Sequence, residues 1–381
     1  MKMIHLADLH IGKVVNGFSM LEDQQHVLSQ ILKYIKEHKV QAVLISGDVY
    51  DKPTPGVNAV KVFDQFLTDL TKENTAIFII SGNHDSPERL SFAGRIMQEQ
   101  NIYLCGSFFE AITCVTLEDE FGPVNFHLLP FLKPASVKHL FEDQTISSYE
   151  DAVKAVLEIS DIHMENRNVL LTHQFYIGSG ANPELSESEV GPVGGIDSIH
   201  VNCVSEFDYV AMGHLHCPQQ VGSPHIRYAG SPLKYSFSEC HHHKSAALIE
   251  LGKKGDLSIT LLPLSPIHDM RKIKGPISEL LSDAVVSQSN HEDYLHITLT
   301  DEEEIIDAIG KIRMVYPNVM TLTFENKRTR AGIDLHSIEP LKKASSMELF
   351  KSFFHAQNGI EMNSEQTAIT KEFFEKTGGE S

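Results

Sequence analysis

Paired cysteines are missing from this chain. Its five cysteines (Cys105, Cys114, Cys203, Cys217 and Cys240) are odd in number, scattered, and include no C-x-x-C. That usage fits a reducing compartment and argues against a disulfide framework. Cys217 directly follows a histidine, but with no second thiol nearby in the sequence it is not read as a metal ligand. Positive charge is also scarce: 32 Lys and Arg against 51 Asp and Glu leave a net charge of −19. A charge that negative disfavours indiscriminate binding to nucleic acid or to an anionic membrane. Any polyanionic substrate must then be held by a metal site, a local basic patch or a partner. Most of the acid excess reads as solvated surface, with a part available as cation ligands. No apolar stretch approaches the ~20 residues that span a bilayer, and MKMIHLADLH has no basic-then-apolar leader. The cytoplasm is the expected location, with no membrane partner. There is no internal repeat and no low-complexity segment, and HHHK at 241–244 reads as a polar turn.

What is present is a layered α/β pattern. Met3 to Ala7, Ala42 to Ser46 and Ala76 to Ser81 read as short buried strands. Between them, Leu21 to Glu37 and Val57 to Leu70 carry apolar residues at helical spacing. This β-α-β-α-β order predicts a sheet between helices. Further apolar runs end at Leu171, at Met212 and near Tyr228, and ALIEL with SITLLPL predicts a hairpin joined by GKKGD. The texture changes after Pro266. A strand and helix start in HDMRKIKGPISELL, a strand in DYLHITLTD, a helix in EEEIIDAIGKIRMVYP and a strand in VMTLTFE predict a second, small α/β unit. Two amphipathic helices end the chain, one presenting Leu349, Phe350, Phe353 and Phe354, the other Ile369, Phe373 and Phe374.

The chemistry lies at the strand ends. MKMIHLA runs into Asp8-Leu9-His10, AVLIS into Gly47-Asp48-Val49-Tyr50-Asp51, and AIFIIS into Gly82-Asn83-His84-Asp85. NVLLT runs into His173, and YVAM into Gly213-His214-Leu215-His216. In α/β sheets, ligand sites form at the carboxyl ends of strands, and residues i and i+2 of an extended segment point the same way. Singly, each residue has an ordinary explanation: Asp8 as a helix cap, Asn83 as a turn residue, His173 as a satisfied core histidine. Five such coincidences at five strand ends favour a metal site instead. Seven donors (Asp8, His10, Asp48, Asn83, His173, His214 and His216) exceed what one ion takes and suit two ions sharing a bridge, for which Asp48 is the natural carboxylate. Imidazole mixed with oxygen donors suits Mn, Fe or Zn better than Mg or Ca. Two such ions are suited to in-line displacement at phosphorus, so the expected reaction is phosphoester hydrolysis.

In that order, DLH, GDVYD, GNHD, a histidine after LLT, and GHLH resemble the calcineurin-type metallophosphoesterases. GDVYDKPTP, GNHDSPERLSF, FDYVAMGHLHCPQ and YAGSPLKYSFSE are more specific: they resemble the SbcD family, the nuclease subunits of bacterial SbcC–SbcD complexes. The likeness covers about the first 270 residues and continues more loosely beyond. It implies a metallophosphoesterase sandwich, sheets flanked by helices, over 1–270, a small α/β capping domain that helps present duplex DNA over 271–340, and partner-binding helices over 341–381. It further implies that Asp8, His10, Asp48 and His216 hold one divalent ion, Mn²⁺ by expectation, and that Asp48, Asn83, His173 and His214 hold a second. His84 would sit beside the scissile phosphate, and Asp85 would orient His84 or its loop. Archaeal and eukaryotic relatives carry a second histidine where this chain has Asp51.

The activity so implied is a 3′–5′ exonuclease on duplex DNA and an endonuclease on single strands, in DNA end processing, hairpin cleavage, replication, recombination and repair. The implied partner is an SbcC-type ATPase gripped by the two C-terminal helices. A homodimer within a heterotetramer is also implied, with helices near 57–70 and 88–100 as candidate dimer surfaces. Lys272, Lys274, Lys327, Arg328 and Arg330 form a candidate basic face, against a reading as scattered surface charge. Two other functions compete: a free-standing phosphodiesterase on small substrates, which leaves the second domain unexplained, and a non-enzymatic binding module, which would be expected to have lost ligands.

Overall fold

In a computed structural model of the chain, residues 1–141, 145–178, 180, 183–189, 198–326, 345–358 and 361–377 are described. The chain divides into two units, Met1–Met270 and Arg271–Ser381.

The first unit holds two six-stranded sheets. In the first, the strands Lys2–Leu6, Ala42–Ser46, Ala76–Ile80 and Ile102–Cys105 run parallel, and the hairpin Ser245–Leu251/Leu257–Pro263 extends the edge antiparallel beside Lys2–Leu6. In the second, Gly122–Leu129, Arg167–Thr172, Tyr209–Met212 and Ser223–Tyr228 run parallel, with Thr113–Asp119 and Gln219–Val221 antiparallel at the two edges. Parallel neighbours need crossovers, and the helices Leu21–His38, Val57–Thr71 and Tyr149–Ile159 supply them.

Alternation along the strands packs the sheets face to face. Met3, Leu44, Phe78 and Ile80 of the first sheet share one core with Val124, Phe126, Val169, Leu171, Tyr209 and Ala211 of the second. Phe78 and Phe126 stack across it, ring centroids 4.2 Å apart. The opposite face of the second sheet (Leu170, Val210, Met212, Tyr228) packs with Ala152, Val153 and Val156 of the helix Tyr149–Ile159. The central strands Ala42–Ser46, Ala76–Ile80, Arg167–Thr172 and Tyr209–Met212 are buried throughout, as near-continuous apolar strands require. All four parallel strands of the first sheet end at the same edge, so their following loops meet there.

The second unit has a three-stranded sheet, Met270–Gly275, Tyr294–Leu299 and Val319–Phe324. Its core gathers Leu295, Ile297, Leu299, Ile312, Tyr316 and Val319. The helix expected over EEEIIDAIGKIRMVYP is shorter, Ala308–Arg313, because Asp307 turns left-handed (φ 50°) and caps the helix through its carboxylate on Gly310 N–H. The segment near 88–100 is likewise two short helices, Pro87–Leu90 and Gly94–Gln98, interrupted at Ala93 (φ 58°). Of the candidate basic face, Lys274 is neutralised by Glu325, while Lys327, Arg328 and Arg330 lie outside the described residues. The terminal helices are Ser346–Asn358 and Ser364–Thr377.

Candidate metal centre

The loops after the first two strands are zipped together by backbone hydrogen bonds: Asp8 N–H to Gly47 O (3.1 Å), His10 N–H to Asp48 O (2.9 Å) and Ile11 N–H to Val49 O (2.9 Å). The sequence suggested extended segments with i and i+2 on one side. The actual route is tighter: Asp8 (φ 53°), His10 (φ 43°), Asp48 (φ 49°) and His214 (φ 108°) all lie at positive φ. Each such non-glycine residue costs on the order of 1–3 kcal/mol, and clusters of them mark functional sites. Glycine is required beside them for space. A Cβ on Gly213 would lie 1.9 Å from Ser46 O and 2.7 Å from His173 Nδ1, and one on Gly82 would lie 2.1 Å from Asp48 Oδ1.

All seven expected donors converge. His10 Nε2 faces His216 Nε2 at 3.1 Å. Asp48 Oδ2 lies 3.3 Å from His173 Nε2 and 3.7 Å from His10 Nε2, between the two groups. Asn83 Oδ1 lies 3.1 Å from both His173 Nε2 and His214 Nδ1. Ligand atoms of Asp8, His10 and His216, and likewise of Asp8, Asp48 and His173, all fall within 4.8 Å of one another.

Their neighbours fix which atoms face inward. His173 Nδ1 is 2.7 Å from Ser46 O, so it donates there and leaves Nε2 as a lone-pair donor. His216 Nδ1 lies 2.8 Å from Ser188 Oγ and 3.4 Å from Glu239 Oε1, again leaving Nε2 inward. His214 N–H donates to both oxygens of Asp8, at 3.0 and 3.1 Å. Asp48 Oδ1 accepts His84 N–H at 2.8 Å.

Protonation is frustrated without a cation. Burial pushes the Asp8 carboxyl up to about 7. Burial would also raise Asp48, but His173, by its charge and its hydrogen bond, outweighs that and holds the carboxyl low. Burial opposes charge on His173, yet Asp48 lifts that imidazole to about 9. Burial drives His10 well below its ordinary value in spite of the nearby Asp48. Two buried imidazole nitrogens facing each other, with carboxylates between, fit divalent ions better than they fit protons.

The two expected catalytic residues separate. His84 lies by His10, ring centroids 4.9 Å apart, with Nδ1 3.1 Å from Asp51 O. The Asp85 carboxylate is engaged elsewhere: it accepts the N–H groups of Val49 (3.1 Å), Tyr50 (3.0 Å) and Gly82 (3.0 Å), so it ties two loops together. Burial and then Asp48 push it up to about 6. Asp51 pairs its carboxylate with Lys13 (2.8 Å) and uses its carbonyl on His84.

Sequence reasoning missed the support for His216. Glu239, fully buried, accepts from Lys244 Nζ (2.7 Å) and Ser188 Oγ (2.7 Å), and burial's tendency to raise it is overcome by His216 and Lys244. Lys244, expected in a polar turn, is buried and also donates to His216 O (2.8 Å) and Ser231 Oγ (2.9 Å). The one available signal was the stretch YAGSPLKYSFSE, whose last residue is Glu239.

Sheets packed face to face, with histidines and carboxylates delivered to one edge around a space for divalent ions, define a metal-dependent phosphoesterase. The chain belongs to the calcineurin-like phosphoesterase family, which matches residues 1–218. Residues 266–358 match the SbcD C-terminal domain, described as a type 5 capsule protein repressor C-terminal domain. The chain is 29% identical over 363 residues to the SbcD subunit of the SbcCD nuclease from Staphylococcus epidermidis, covering 93% of this chain and 92% of that one. Among solved structures, a dimetal phosphatase from Danio rerio matches at 13% identity and TM-score 0.42, over 68% of this chain and 95% of that chain. GAP50, the anchor in the inner membrane complex of Plasmodium, matches at 11% identity and TM-score 0.38, over 85% and 96%. Both of these structural likenesses are remote.

Proposed function

We propose that this chain is the nuclease subunit of a DNA-processing complex, cutting duplex ends 3′–5′ and single strands internally, in partnership with an SbcC-type ATPase. The convergence of all seven donors on one strand edge carries the reading. Asp8, His10, Asp48 and His216 would hold one ion, and Asp48, Asn83, His173 and His214 the other, Mn²⁺ being suited to this imidazole–oxygen set. When bound, the pair supplies activation of water and neutralisation of phosphate charge. Asp48, set between His10 and His173, would be the shared carboxylate. His84 donates Nδ1–H to Asp51 O, which leaves Nε2 to meet the scissile phosphate and assist the leaving oxygen. Asp85 holds the His84 loop against the Asp48 loop and acts at that remove.

Several features support the assembly. Phe350 and Phe374 meet, ring centroids 6.0 Å apart, while Leu349, Phe353, Ile369 and Phe373 stay exposed on the two terminal helices. Such apolar faces suit helix-in-groove docking on a partner, and 271–340 is then the cap that presents DNA. An ATPase that holds DNA phosphates removes the need for a basic nuclease, which agrees with the net charge of −19. A homodimer joined through the segments near 57–70 and 88–100 completes the proposed heterotetramer. All five cysteines are free, and no helix among the described residues is long and apolar enough to cross a membrane. Free thiols suit the cytoplasm.

The deciding experiment incubates the purified chain with Mn²⁺ on end-labelled duplex DNA and on a small chromogenic phosphodiester, with Asp48→Ala alongside. Cutting of DNA by the wild type and complete loss in Asp48→Ala is the expected result. Activity on the small ester alone, also after addition of the ATPase and ATP, identifies a free-standing phosphodiesterase instead.

A further inference from the structure

Beside the seven donors lies a second group of ligand-type side chains that the two-ion centre does not use. Glu184, Cys217 and His242 come from three separate segments, and one ligand atom from each falls within 4.8 Å of the others. Cys217 Sγ is 3.6 Å from Glu184 Oε2, and His242 Nε2 is 3.0 Å from Glu184 Oε1. With metal–ligand distances of about 2.0–2.3 Å, a tetrahedral ion separates its donors by roughly 3.3–3.8 Å, so small movements seat an ion among these atoms.

The backbone brings them together without help from a cation. Glu184 N–H donates to Gln219 Oε1 (2.9 Å), and Gln219 Nε2 donates back to Glu184 O (3.0 Å) and to Cys217 O (3.4 Å). His242 N–H donates to Glu239 O (2.8 Å). His242 is only 9% exposed, and its Nδ1 has no hydrogen-bond partner among the described residues. The ring nitrogen on the Glu184 side, Nε2, is the one that would meet an ion. Glu184 is exposed, which leaves the fourth position to water. Lys244, whose positive charge reaches Cys217, is already paired with Glu239.

We propose that Glu184, Cys217 and His242 form a third cation site, selective for a thiophilic divalent ion of the Zn²⁺ class and distinct from the two-ion centre. Thiolate, imidazole and carboxylate together select Zn²⁺ over Mn²⁺. Its role is a clasp. Cys217 adjoins His216, and the segment that begins at Glu184 carries Ser188 and Glu189, which hydrogen-bond His216 Nδ1 and His216 N–H. An ion on the three ligands therefore fixes both sides of that histidine's support. The inference does not rest on the nuclease reading.

The test uses the full chain, stripped of metal and titrated with Co²⁺. A near-ultraviolet thiolate-to-cobalt charge-transfer band is expected, bleached by one equivalent of Zn²⁺ per chain. Cys217→Ser and His242→Gln each lose the band and retain one ion fewer per chain than the wild type. Asp48→Ala keeps the band while losing ions elsewhere, which separates this site from the two-ion centre. No band in the wild type, a band that persists in Cys217→Ser, or an unchanged ion count in that variant overturns the proposal. Circular dichroism checks folding, and the near-isosteric Cys217→Ser decides alone if His242→Gln does not fold.

Discussion

The two sheets of the first unit share one chemistry unequally: both carboxylates come from the first, and three of the four imidazoles from the second. The first sheet delivers both carboxylates, Asp8 and Asp48, together with His10 and Asn83, and Asp8, His10 and Asp48 sit at positive φ on loops locked by backbone hydrogen bonds. The second delivers the imidazoles His173, His214 and His216 after strands that end without comparable strain, apart from His214. What the second sheet lacks in backbone constraint it makes up in hydrogen-bond partners: the Ser46 carbonyl for the His173 ring, Ser188 and Glu239 for the His216 ring, and Lys244 for the His216 carbonyl. A carboxylate can take a cation from several directions, so its loop must be fixed. An imidazole offers one lone pair per tautomer, so the atom behind the ring must be fixed instead.

Removing a residue proposed to serve the reaction but not the ions makes the strongest attack on that division. His84, on the carboxylate side, hangs from Asp51 O and meets the His10 ring edge-on. His84→Ala should lower kcat by about 10²–10⁴-fold and leave the divalent ion content unchanged, as read by single-turnover cleavage and elemental analysis. Full activity on DNA, or loss of an ion, would remove His84 from its proposed place.

A weaker perturbation tests the imidazole side. Glu239→Gln keeps the shape behind His216 but removes the charge that orients it and pairs with Lys244. Metal affinity should fall roughly 10–100-fold, with activity restored at high Mn²⁺. An unchanged affinity would mean that Ser188 alone sets the His216 tautomer, and the contrast between the sheets would be weaker than drawn.

Much of this was legible in the sequence because apolar runs break at a polar residue where a buried strand leaves the sheet. Asp8, Asp48, Asn83, His173 and His214 are each within two or three positions of such a break, so local pattern alone marks them. The geometry at those breaks was not legible, since an extended i, i+2 pair and a left-handed turn carry the same letters. Nor was the support for His216: Ser188, Glu239 and Lys244 lie 28, 23 and 28 residues from it, and nothing local distinguishes a buried Lys244 in HHHK from a solvated one. The proposed grouping of Cys217 with Glu184 and His242 was hidden for the same reason, because those two come from distant segments. In the second unit, the acidic run before Ala308 carried helical spacing, but Asp307 caps the helix late and shortens it.

The seam between the sheets gives the effect farthest from the reaction, one on stability alone. His5, on the strand Lys2–Leu6, reaches across to Tyr209 of the second sheet, with Nδ1 2.9 Å from the hydroxyl. It is wholly buried, and its Nε2 has no partner among the described residues. Burial, reinforced by Arg227, lowers it from 6.5 to about 3. Between those values the unfolded chain binds a proton at His5 and the folded chain does not, so stability falls as pH drops through that window, by about 1.4 kcal/mol per pH unit from this group. Above 6.5 both states are neutral there and the group adds no slope. His5→Gln should therefore flatten the acid limb of a denaturant-derived stability curve by that slope and leave turnover at neutral pH unchanged. Curves that stay parallel down to pH 3 would mean that His5 takes up its proton in the folded state, and that the seam joining the carboxylate sheet to the imidazole sheet admits water.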